Sequence, residues 1–266
     1  MCGLMNGFQT LRRHWPEYAI EAALLGSFMV LACVFTVVLE HPASPVPQAL
    51  PQDALRRALN GLAMGLTAIG LIYSPWGQRS GAHLNPAVTA TFLHLGRIQP
   101  WDAAFYMAAQ FAGGIAGVLV ARGFLGRLLA HPAVNHVVTV PGPAGAGTAF
   151  VAETLIAAGM MLMVLFVTNT PRLARFTGLF AGLLVFLYIT FEAPLSGMSL
   201  NPARTVASAL PSGIWTAGWV YFAAPLLGML GAARLHAFLR HPARPACPKL
   251  HHGTTQRCLF CGHRMP

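Results

Sequence analysis

Apolar residues fall in long runs, separated by short breaks rich in proline, glycine and arginine. Residues 19–39 are apolar apart from Glu21 and are long enough to cross a bilayer. Comparable runs cover residues 58–73, 103–120, 149–167, 176–191 and 214–233. The pattern predicts six membrane-spanning helices. Pro42, Pro45, Pro47 and Pro51 force a loop after the first run, and Gly and Pro crowd the end of the 122–147 break. Gly61, Gly65 and Gly70, and then Gly113, Gly114 and Gly117, predict close helix contacts, since small residues let backbones approach in lipid. The first run lacks the short core and small-residue cleavage site of a signal peptide. Arg12-Arg13 before it reads as a positive flank, not an export signal.

One octapeptide occurs twice between runs. Ser80-Gly81-Ala82-His83-Leu84-Asn85-Pro86-Ala87 matches Ser196-Gly197-Met198-Ser199-Leu200-Asn201-Pro202-Ala203 at six of eight positions. Each copy spells a helix start: Asn caps an orphan backbone N–H, and Pro suits the first helical position. The apolar segments that follow are short, about half of the ~30 Å hydrocarbon thickness, so they predict half-helices. The surrounding runs repeat as well. Glu21 opens the first run as Glu153 opens the fourth, and residues 105–110 resemble 220–225. Three spans per half is an odd number, so the second half is inverted, a known route to a midplane permeation site. Two capped N-termini meeting there would each present about half a positive charge, which repels cations. Their side-chain amides can donate to a neutral oxygen.

Charged residues are only 9% of the chain, too few for a water-facing surface, so lipid is the main solvent. The net charge of +10 could suggest nucleic acid, but the arginines are scattered between apolar runs with no basic face. Six spans place both termini on one side with the larger share of Arg and Lys, which predicts a cytoplasmic location for both.

The paired Asn-Pro-Ala motifs, with Arg204 directly after the second, resemble the aquaporin and aquaglyceroporin family over residues 17–240. The resemblance implies an all-α membrane protein with six transmembrane helices plus two half-helices in two inverted repeats, about 17–125 and 148–240. It implies a cell-membrane homotetramer with one pore per subunit, passing water and small neutral solutes with no cofactor in the pore and no catalytic residues. The pore centre is then Asn85, Pro86, Ala87, Asn201, Pro202 and Ala203. Arg204 matches the constriction arginine, Met198 and Ile189 match two further filter positions, and the last falls on Met64 or Gly65. None is the aromatic or histidine usual in water-selective members, nor is the aromatic pair of glycerol channels present, so the filter predicts a less polar constriction that also passes solutes such as glycerol, urea or ammonia; the alternative is a constriction narrowed by flexible Met side chains. Glu21 and Glu153 match glutamates that hold the half-helix loops and are read as the only carboxylates within full spans. His83 is read as a loop-supporting residue.

Residues 1–16 read as a cytoplasmic N-terminal segment and 241–266 as a basic cytoplasmic tail. That tail holds Cys247-x3-His251 and Cys258-x2-Cys261-Gly262-His263, a spacing with zinc-ligand character; the alternative is a basic tail with incidental thiols. Two rivals share the inverted-repeat pattern: a secondary transporter, and a membrane scaffold that has lost conduction.

Overall fold

A computed structural model describes residues 6–239, 247–251 and 258–261. His263 and the basic residues Arg240, Arg244, Arg257 and Arg264 lie outside the described residues. Among those described, the regular structure is entirely helical. Helix α1 is Gly7–Glu40, α2 is Asp53–Tyr73 and the short α3 is Pro86–His94. Helix α4 is Pro100–Leu125, α5 is Gly145–Thr168 and α6 is Thr177–Leu187. The short α7 is Pro202–Ser212 and α8 is Val220–Leu239.

Helix α1 starts well before its apolar run. Asn6 caps it in a reciprocal pair with Gln9, so the described part of the segment assigned above to 1–16 is mostly helix. Among the described residues, five stretches are long and apolar enough to cross a membrane: Gly7–Glu40, Pro100–Ala130, Gly145–Thr168, Ala174–Ser196 and Val220–Leu239. Helix α2, the sixth predicted span, has the length, at 21 residues, but its first turns carry Asp53, Arg56, Arg57 and Asn60. Arg56 there is buried and bridges Glu40 at the end of α1 (3.0 Å) and Asp53. The last predicted span needs a correction: residues 214–215 are irregular and 216–219 form a turn after the left-handed Gly213, and α8 begins only at Val220.

The packing follows the internal repeat. Helix α1 lies on α4 as α5 lies on α8, α2 lies on α6, and each half-helix crosses to the other repeat, α3 onto α8 and α7 onto α4. Glycine sets the closest approaches. A Cβ on Gly113 would lie 2.1 Å from the Ala22 carbonyl, and one on Gly65 would lie 2.5 Å from that of Gly182. Gly70 makes no such contact with the described residues.

Candidate pore

Asn85 and Asn201 cap α3 and α7 from extended backbone. Asn85 Oδ1 accepts from Ala87 N–H (2.8 Å), and Asn201 Oδ1 accepts from Ala203 (3.0 Å) and Arg204 (3.3 Å). Each amide then donates across the interface: Asn85 Nδ2 to the Leu200 carbonyl at 2.8 Å and Asn201 Nδ2 to the Leu84 carbonyl at 2.7 Å. An amide nitrogen has two hydrogens, so each keeps one for a permeant.

The loops ahead of the caps are strained in the same way. Ala82 and Leu84 in the first, and Met198 and Leu200 in the second, sit at φ of 54°, 52°, 50° and 58°. Each such non-glycine residue costs about 1–3 kcal/mol unless its surroundings hold it. Glu21 and Glu153, both fully buried, do the holding. Glu21 accepts from Ser80 Oγ (2.8 Å) and the N–H groups of His83 (3.0 Å) and Leu84 (2.7 Å). Glu153 accepts from Ser196 Oγ (2.8 Å), Ser199 N–H (2.6 Å) and Leu200 N–H (2.7 Å). Tyr106 and Tyr221 donate to the carbonyls of Ser80 and Ser196. One asymmetry is chemical: Gln110 gives Glu21 a fourth donor at 2.8 Å, and Pro225 in the second half cannot.

Both caps face one cavity of about 340 Å³. Asn85, Asn201, Arg204, Met198, Ile189, Met64 and His83 line it, with apolar neighbours that include Val88, Val164 and Val185. The two readings of the α2 position separate here. Met64 lines the cavity, whereas Gly65 is turned against α6, because only a hydrogen fits beside the Gly182 carbonyl. Ile189 lies on a π turn, Tyr188–Glu192, that extends α6, and the one-residue widening re-aims its side chain. Arg204 Nη1 is buried with no hydrogen-bond partner among the described residues.

Several lining residues were not singled out from the sequence. Thr36, Arg57 and Asn60 line the cavity, and Arg57 donates to the Thr190 carbonyl at 2.9 Å. Nothing local marks them, because they sit on the polar ends of spans. Glu21 and Glu153 are also not the only carboxylates in spans: Glu192 is buried on the π turn, and Asp102 is buried in α4 against His14 (2.8 Å) and Tyr18 (2.6 Å). Both lie at run edges that hydropathy leaves undefined.

The tail comes back onto this site. Leu250 lines the cavity and gives its N–H to the Gly81 carbonyl at 3.2 Å. Lys249 Nζ donates to the Gln78 carbonyl at 2.9 Å. His83 meets Thr89 Oγ1 through Nδ1 (3.0 Å) and the Pro248 carbonyl through Nε2 (3.1 Å), and its ring stacks on Phe92 and Phe260. The thiols of Cys247, Cys258 and Cys261 lie within 4.8 Å of one another. His251 is not with them: its ring meets Tyr73 edge-on at 4.9 Å, because Leu250 anchors that end of the segment at the pore. A bond to Cys258, and then burial, push the Cys247 thiol well above the ordinary thiol range.

Comparison with known proteins agrees with this arrangement. The sequence model described as Major intrinsic protein matches residues 14–236. Aquaporin NIP2-2 of Zea mays is 37% identical over 227 residues, 84% of this chain and 74% of its own length. For a second Zea mays relative, aquaporin NIP2-1, the match spans 64% of its length. Aquaporin A of Dictyostelium discoideum is 35% identical over 192 residues, 70% of this chain and 67% of its own length. The solved aquaglyceroporin of Plasmodium falciparum superposes with a TM-score of 0.68 at 22% identity, over 84% of this chain and 95% of that one, a likeness of fold.

Proposed function

The chain belongs to the major intrinsic protein family, and from that premise we propose that its pore admits small neutral solutes beside water and refuses ions and protons. It is a multi-pass membrane channel for water and small solutes. The pairing of Asn85 and Asn201 carries the finer reading. Two helix N-termini point their positive ends at one place, and each cap keeps one N–H for a passing oxygen. A cation meets both dipoles and the Arg204 guanidinium there, while a neutral solute meets donors. The unpaired Arg204 Nη1 supports the same view, since a buried donor without a partner costs about 1–3 kcal/mol and a permeant oxygen would relieve it.

The solute range follows from what surrounds that arginine. Met64, Ile189 and Met198 offer apolar, flexible surface and no ring donor, so the constriction suits solutes with a hydrocarbon side such as glycerol as well as urea and ammonia. Arg and Lys on the terminal side set both termini in the cytoplasm. Exposed apolar residues such as Leu66 and Leu155 fit contact with lipid or a neighbouring subunit in a homotetramer.

The test is stopped-flow light scattering on liposomes carrying the purified chain, with water, glycerol, urea and ammonia followed in parallel. Wild type should exceed empty liposomes for water and for at least one solute. Arg204→Val should keep water flux and raise solute uptake. Water flux with every solute excluded would overturn the wide-filter reading, and flux equal to that of empty liposomes would overturn conduction itself.

A further inference from the structure

The tail thiols belong to no part of the pore machinery, yet they sit beside its mouth. Cys247 and Cys258 Sγ are 3.6 Å apart, and Cys261 Sγ completes a triangle no wider than 4.8 Å. Zinc binds thiolate sulfur at ~2.3 Å in a tetrahedron, which spaces two ligands about 3.8 Å apart. The Cys247–Cys258 spacing is therefore close to that of a loaded site, and Cys261 is within reach of it. Lys249 and Arg175 line a small pocket together with Cys247.

The segment that carries these thiols packs against the pore cavity. Leu250 is 7% exposed and forms one wall of the cavity, and Lys249 is 5% exposed. Phe260 stacks on His83 and meets Tyr106 edge-on. The entropy of ordering the tail works against this contact. Burying one leucine contributes only about 1.5–3 kcal/mol, and ordering each residue costs about 1–2 kcal/mol. Small segments without a core of their own are held by a metal or another cross-link.

We propose that Cys247, Cys258 and Cys261 bind a zinc ion, and that the bound ion staples the tail over the pore mouth, so that metal closes the channel and its removal opens it. The three thiols lose their protons on binding, and water takes the fourth position. The closure rests on the channel reading given above; the metal site does not.

The test uses the full-length chain and its Cys258→Ser/Cys261→Ser variant. Cobalt(II), added in zinc's place, should give wild type one equivalent of intense thiolate-to-metal absorption, which the variant lacks. Zinc should lower wild-type water flux in liposomes several-fold, a chelator should restore it, and the variant should conduct equally with and without zinc. Trypsin cleavage after Lys249, followed by mass spectrometry, should be suppressed by zinc in wild type alone, because docking buries that residue. No thiolate–cobalt absorption would overturn the site. Absorption with unchanged flux and unchanged cleavage would overturn the staple, as would opening by a reductant alone, which would mean a disulfide. Flux absent in every state, variant included, would sink the channel reading instead, and the cobalt spectrum and the Lys249 cut would still decide the proposal.

Discussion

Asn201 donates through Nδ2 to the carbonyl of Leu84, 2.7 Å away in the opposite repeat, and Asn85 returns the contact to Leu200 at 2.8 Å. Each cap therefore does two structural jobs. Its Oδ1 starts a half-helix, and one of its N–H groups fastens the two halves together at the midplane.

That double role predicts the behaviour of Asn201→Asp. Aspartate caps a helix as well as asparagine does. It cannot donate to Leu84, and it sets a negative charge against that carbonyl. We expect a loss of about 1–3 kcal/mol from the unsatisfied group, read as a lower unfolding temperature in detergent. The pore should also begin to pass cations, read as conductance in planar bilayers. An unchanged melting temperature would mean that the cross-interface bond contributes nothing.

Glu21 and Glu153 hold equivalent loops, but their replacement should not cost the same. Either glutamine loses an acceptor for a loop N–H. At Glu21 the new amide has somewhere to turn, because Gln110 Oε1 is buried without a partner among the described residues. At Glu153 the equivalent neighbour is Pro225, which offers no side-chain acceptor. Glu153→Gln should therefore be less stable than Glu21→Gln by about 1 kcal/mol, the worth of one such bond. Thermal unfolding of the two variants side by side checks this, and equal losses would remove Gln110 from the account.

What the sequence made legible was local. The capping chemistry of Asn85-Pro86 and Asn201-Pro202 is written in adjacent residues, and both half-helices begin at the prolines named. The start of α8 was not legible, because Ile214, Trp215 and Trp219 are as apolar in an interfacial turn as in a span. The same holds for the tail. Its seat is made by Gly81, His83 and Tyr106, residues far away in the chain, and no spacing of cysteines could have announced that contact.

The glycines in α2 give a third prediction. Gly65→Ala drives a Cβ to 2.5 Å from the Gly182 carbonyl, so α2 and α6 must separate, at a cost of about 1–3 kcal/mol as for other overpacked sites. Gly70→Ala meets nothing within 4 Å among the described residues and should be neutral or gain up to about 1 kcal/mol from helix propensity. The unfolding temperatures should move in opposite directions or only the first should fall. A matching fall in both would show that Gly70 packs against something outside this chain, such as a neighbouring subunit.

The constriction supplies the last. If solute passage comes from the apolar surface of Met64 and Ile189, then giving that surface an aromatic ring and a ring donor should remove it. Met64→Phe/Ile189→His puts bulk on α2 and a hydrogen-bonding imidazole on the π turn, facing the same cavity as Arg204. Water needs little width and gains a partner, whereas glycerol loses both room and its apolar wall. Glycerol and urea uptake should drop several-fold while water flux stays within the same range, measured in the same liposomes. Gly65 offers the control on register: it faces Gly182, so a change there acts through helix packing and should alter stability before selectivity. Should the double variant leave glycerol uptake untouched, the narrowest point lies elsewhere along the cavity, and Asn60 with Thr36 at its other lining would be the next pair to exchange.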